Sequence, residues 1–157
     1  MTLGESHPAT LLAMSCLANT CQKRGKFSEA EVLLVQCLDG QKRVLGENHP
    51  ETVKVMIYLA AVFHSQEKHI ESAALYRQCL DKSKAVFGEN HEYTLASLTN
   101  LAANLIFLTE YNEAEVLLWQ CFTKQQAVLG ESHPDTFRTL KNIDFLRSKL
   151  KSQNKQA

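Results

Sequence analysis

Histidine and cysteine are the residues of this sequence best suited to chemistry, because a neutral imidazole and a thiolate are common metal ligands and both serve in proton transfer or redox work. Four of the six histidines recur at a fixed interval: from His7 to His49, His49 to His91 and His91 to His133 the step is 42 residues each time. Cys37, Cys79 and Cys121 repeat at the same step. Residues that occupy the same place in successive units lie at least one helix-packing distance apart, roughly 8–10 Å, whereas ligands of one zinc ion sit about 2 Å from it. A disulfide likewise needs Cα atoms within about 7 Å. His64 and His69, and Cys16 and Cys21, are five residues apart and so do not share a helical face. The four repeated histidines are therefore expected at helix starts, where the His or the preceding Ser or Asn satisfies free amides of the first turn. The cysteines are expected as small buried packing residues. No Gly-rich phosphate loop, no Gly-x-Ser-x-Gly elbow and no His-Glu-x-x-His pair occurs. No catalysis is expected, and folding is expected to need no metal or cofactor.

The elements that carry these residues follow from the same interval. Leu3-Gly4-Glu5-Ser6-His7-Pro8 returns as Leu45-Gly46-Glu47-Asn48-His49-Pro50, as Phe87-Gly88-Glu89-Asn90-His91-Glu92 and as Leu129-Gly130-Glu131-Ser132-His133-Pro134. Within a unit, Leu98, Leu101, Ala102 and Leu105 fall at helical spacing, and Ala114, Leu117, Leu118, Cys121 and Phe122 do so after an interruption at Thr109 to Asn112. Each unit is thus two amphipathic helices and a tight turn. Proline suits the first helical position, and Gly46, Gly88 and Gly130 end the preceding helix. Helices are expected at 8–23, 28–44, 50–65, 70–86, 92–107, 112–128 and 134–151. A pair of this kind cannot bury its apolar face alone, so stacking on neighbours must supply the partner.

These residues resemble the tetratricopeptide repeat, in the 42-residue form typical of kinesin light chains. Ala18, Ala60 and Ala102 match the small residue that lets the paired helices approach. Ala30, Ser72 and Ala114 match the second helix's alanine, and the Leu-Gly-Glu-x-His-Pro loop narrows the likeness to the kinesin-light-chain-like subclass. The second unit has Glu67 and His69 where the turn glycine and aromatic usually sit, so a looser turn is expected there. The resemblance implies an all-α, right-handed solenoid of three helix pairs (3–44, 45–86, 87–128) closed by a capping helix at 134–151. One domain over 1–151 and a polar, disordered tail at 152–157 complete the expected layout. It also implies a protein-binding scaffold whose concave groove is lined by the first helix of each pair. The groove positions fall on Asn19, Lys23, Lys54, Ile57, Tyr58, His64, Thr99, Asn100, Phe107, Arg138, Lys141 and Asn142. Asn100 and Asn142 match the asparagine of the family's Leu-Asn-Asn-Leu-Ala stretch.

Lys plus Arg and Asp plus Glu both number 17, so no net field draws the chain to nucleic acid or an anionic membrane. No stretch approaches the roughly 20 apolar residues that span a bilayer. The expectation is a cytoplasmic protein with a protein or peptide partner. The alternative is a structural module that self-associates through its N-terminal end or belongs to a longer array, because Leu11, Met14 and Leu17 have no preceding helix to cover them. At the other end Asp144 stands where Ala18, Ala60 and Ala102 stand, which suits a solubilising cap in which Phe137, Leu140 and Ile143 cover the third pair.

Overall fold

The computed structural model describes residue 4 and residues 7–154. Leu3, Glu5, Ser6 and the last three tail residues, named above, lie outside that range. Seven helices run through the described residues: α1 (Pro8–Lys23), α2 (Phe27–Leu45), α3 (Pro50–Ser65), α4 (His69–Phe87), α5 (Glu92–Phe107), α6 (Tyr111–Leu129) and α7 (Pro134–Asn154). Their ends match the expected ones to a residue, except that α7 continues to Asn154.

The helix starts show why histidine recurs. In each, the ring Nδ1 accepts from the amide two residues on: Ala9, Glu51, Tyr93 and Asp135 donate to His7, His49, His91 and His133, all at 3.2 Å. The imidazole is the cap, and the preceding Asn48, Asn90 and Ser132 make no such bond. A second ladder supports it. Thr10, Thr52, Thr94 and Thr136 donate their hydroxyls to the carbonyls of Gly4, Gly46, Gly88 and Gly130 at 2.7–3.1 Å. Each loop is thereby tied to the first turn of the helix it opens.

The turns inside the pairs are alike, contrary to the looser second turn expected. Gly25, Glu67 and Thr109 all adopt positive φ, at 75°, 61° and 63°. The amides that follow, of Lys26, Lys68 and Glu110, donate to Cys21, Phe63 and Leu105 at 2.9–3.0 Å. The backbone bond holds the turn whether or not its residue is glycine. A β-branched Thr in this region costs about 1–2 kcal/mol.

Ala18, Ala60 and Ala102 are fully buried between paired helices, as are Ala30, Ser72 and Ala114 opposite. Ser72 satisfies its hydroxyl by donating to the Ala60 carbonyl at 2.8 Å. The cysteine ladder lies in the same seam. Cys37 Sγ reaches the Leu11 carbonyl at 3.2 Å, Cys121 Sγ the Leu95 carbonyl at 3.4 Å, and all five cysteines are free. Burial pushes the thiols of Cys37, Cys79 and Cys121 up, Cys79 to about 12, so these three behave as packing groups, whereas Cys16, expected to be buried, is exposed on the uncovered face of α1. Leu34, Leu98, Leu101, Leu105 and Leu118 are among the largest fully buried side chains of the core, each contributing about 1.5–3 kcal/mol of burial.

Each helix packs on the next along the chain, and α1, α3, α5 and α7 also touch in sequence, whereas α2, α4 and α6 do not. The odd-numbered helices therefore form the inner, concave layer.

Candidate protein-binding groove

The concave face is the stripe of each odd-numbered helix that no other helix covers. On α3 and α5 it carries Lys54, Tyr58 and Ala61, then Ala96, Asn100, Ala103 and Phe107; on α1 it carries Leu12, Cys16, Asn19 and Lys23, and on α7 Arg138, Asn142 and Phe145. The structure thus brings most of the expected groove residues together. It removes three. Ile57 and Thr99 are buried, and Thr99 spends its hydroxyl on the core, bonding Leu95 O at 3.1 Å and facing Cys121 Sγ and Thr139 Oγ1. The same register in α7 is Lys141, which is exposed because none of the described residues packs on that side of α7; its ammonium lies 4.6 Å above the Phe137 ring. The family offset displaced these positions by one residue, which on a helix turns a side chain by about 100°.

Tyr58 and Tyr93 share one part of the groove wall. Burial, with the Tyr93 phenol close by, pushes the Tyr58 phenol above its ordinary value. Lys54 bonds Glu51 at 2.7 Å and stands 5.5 Å over the Tyr93 ring. Asn100 is half-buried and partly committed: its Nδ2 donates to Tyr76 Oη at 3.1 Å, tying α5 to the preceding pair. Apolar burial pushes that buried Tyr76 phenol up as well.

Further along α5 lies a cluster missed in the sequence. Asn104 is fully buried, and its Nδ2 donates to the Asn100 carbonyl at 2.8 Å, which turns Oδ1 toward α3 and α4. There it meets Nδ1 of His64 at 2.9 Å and of His69 at 3.1 Å, so both rings carry their proton on Nδ1. His69 stacks on Phe107, with centroids 4.4 Å apart and planes 4° from parallel. His64 is therefore a fixed part of the second interface, and Phe107, 57% exposed, is held as an aromatic shelf. These residues do not recur at 42, so periodicity gave no signal for them.

Among the described residues no group of three or more His, Cys, Asp or Glu side chains is placed to hold a metal, and no helix is long and apolar enough to cross a membrane.

The tetratricopeptide repeat family profile matches residues 9–84 and 55–123. The chain belongs to the tetratricopeptide repeat family. Two structures of nearly identical tetratricopeptide-like repeats from a putative kinesin light chain of Podosopora anserina, one a single-substitution form, superpose with TM-scores of 0.81 and 0.79. They are 24% and 25% identical, over 98% of this chain and 73% of theirs. BtubC (BKLC) of P. vanneervenii follows at a TM-score of 0.76 and 22% identity, over 90% of this chain and 56% of its own. No curated protein matches significantly. As a tetratricopeptide repeat protein the chain has the fold of a protein-interaction scaffold, in a family that is generally non-catalytic.

Proposed function

We propose that this protein is a non-catalytic scaffold that holds a peptide or helix of a protein partner in its concave groove. The observation that carries the reading is the pairing of exposed rings with a low floor. Tyr58 and Phe107 stand on α3 and α5 beside Ala61, Ala96 and Ala103, which leave room for a bound chain. Asn19, Lys23, Lys54, Asn100, Arg138 and Asn142 add polar contacts along the same face, of the kind an extended backbone uses. The balanced charge favours a protein partner over nucleic acid or an anionic membrane, in the cytoplasm. Replacing Tyr58 and Phe107 together with Ala tests the site. Capture of the partner from a lysate of the protein's own cells should fall at least about tenfold with helicity unchanged, since exposed substitutions alter stability by only about 0.5 kcal/mol. Equal capture by the double variant would move the site off the groove.

One observation favours a second role, self-association through the N-terminal end. Leu17 is 52% exposed, while Leu59 and Leu101, its equivalents, are 5% and 2% exposed beneath the preceding pair. Leu11, in contrast, is buried by its own chain against Gly40, where a Cβ would stand 2.5 Å from Leu11 Cδ2. The residue to change is therefore Leu17. Sedimentation of the parent should show concentration-dependent association that Leu17→Glu abolishes, and a strictly monomeric parent would remove this role.

A further inference from the structure

Between the first and second pairs, where the amino-terminal ends of α1 and α3 meet the last turns of α2, the surface opens into a notch of about 250 Å³. Leu11, Leu12 and Leu45 make its apolar walls, with Ser15, Glu51 and Gln41 the polar groups on its lining. Gln41 is only 6% exposed, and its Oε1 has no hydrogen-bond partner. The matching notch between the third pair and α7 shows what is missing. There Gln125, in the same register as Gln41, accepts from Thr139 Oγ1 at 2.7 Å, and the space has shrunk to about 50 Å³ with Arg138 at its rim. The residue that faces Gln41 in the register of Thr139 is Val55, which has no donor.

We propose that this notch is a receptor site for a single tyrosine side chain of a protein partner. At about 250 Å³ it falls below the roughly 300–1,000 Å³ of small-molecule sites and suits one large side chain. The leucine walls take the ring face. The carboxamide on the lining takes the phenol, whose hydroxyl both donates and accepts and so matches either face of an amide. This deepens the scaffold reading by naming a side chain of the partner and rests on that reading for the partner alone; the notch is tested without it and without Tyr58 or Phe107.

The test titrates p-cresol, the tyrosine side chain alone, and toluene, the same ring without its hydroxyl, into the intact chain while backbone amide resonances are followed. p-Cresol should shift Leu12, Ser15, Gln41 and Leu45 saturably and bind about fivefold tighter than toluene, the worth of one net hydrogen bond. Gln41→Met should erase that preference and leave toluene binding intact. Val55→Thr, which offers Gln41 the donor that Thr139 gives Gln125, should weaken p-cresol binding with helicity preserved, and it carries the test alone should Gln41→Met fail to fold. Equal binding of the two probes to the parent, or shifts centred on Trp119 or Phe107, would overturn the proposal.

Discussion

The two ends of the stack are built from equivalent helices and finish in opposite ways. On α1 the positions that face a preceding pair, Ala13, Leu17 and Thr20, are exposed, while their counterparts Val55, Leu59 and Val62 on α3 and Thr139, Ile143 and Leu146 on α7 are buried. On α7 it is the side away from the third pair that is open: Phe137 and Asp144 are exposed and Leu140 is half-buried. Phe137 is exposed and does not cover the third pair; Thr139, Ile143 and Leu146 do that. The bare side of α7 carries charge: Lys141 sits over Phe137, and Arg147 lies 4.0 Å from Asp144. A cationic stem lying over a ring screens part of that ring from water. Among the described residues the bare side of α7 is thus charged, and that of α1 is mainly apolar.

The largest expected effect separates an interior position from its copy at the open end. Leu59→Ala should cost about 2–5 kcal/mol, and Leu17→Ala about 0.5 kcal/mol or less, read by denaturant unfolding. Equal costs would mean that the first helix is covered in solution. Next, the interior interfaces hold polar ties that the ends lack. Asn100→Ala strands the buried Tyr76 hydroxyl and should cost about 1–3 kcal/mol, so it is a poor choice for probing the groove; a cost near zero would show that Tyr76 finds another partner. Thr109→Gly relieves positive φ in the third turn and should stabilise by about 1 kcal/mol, whereas Gly25→Ala in the first turn should destabilise by a similar amount. The same sign for both would contradict a shared turn geometry.

The smallest effect concerns the tie between the first and second pairs. Glu31 accepts from Lys68 at 2.9 Å, which holds its carboxyl below the usual value of 4.5. A depressed carboxyl contributes stability near neutral pH and loses it as pH falls through the folded value. The pair is partly exposed, so the contribution is about 0.5 kcal/mol or less. The midpoint advantage of the parent over Glu31→Gln should vanish on going from about pH 7 to about pH 3, below the carboxylate range; an advantage that persists in acid would have another source.

Most of the architecture was legible because it repeats. The 42-residue interval located every helix, the small residues in the seams and the helix-start histidines. It also contained the threonine ladder at 10, 52, 94 and 136, which only the bond to glycine explains. What was illegible is what occurs once. Asn104, His64 and His69 come from three helices and share no interval, and Gln41 differs from Gln125 only through Val55, on another helix. Ile57, Thr99 and Lys141 were misassigned because the family's positions were carried over one residue out of step, which turns a helical side chain by about 100°; Thr99 thus finds its partners inside.

The central claim is that partner contact occurs on the concave face. A photoreactive amino acid placed in turn at position 58 and at position 116, on the outer side of α6, tests it within the intact chain. Cross-linking in cells followed by mass spectrometry should yield one recurrent protein from position 58 and not from position 116, with the cross-link lost when Phe107→Ala is added. The same protein captured from position 116, or capture at 58 indifferent to Phe107, would contradict the claim.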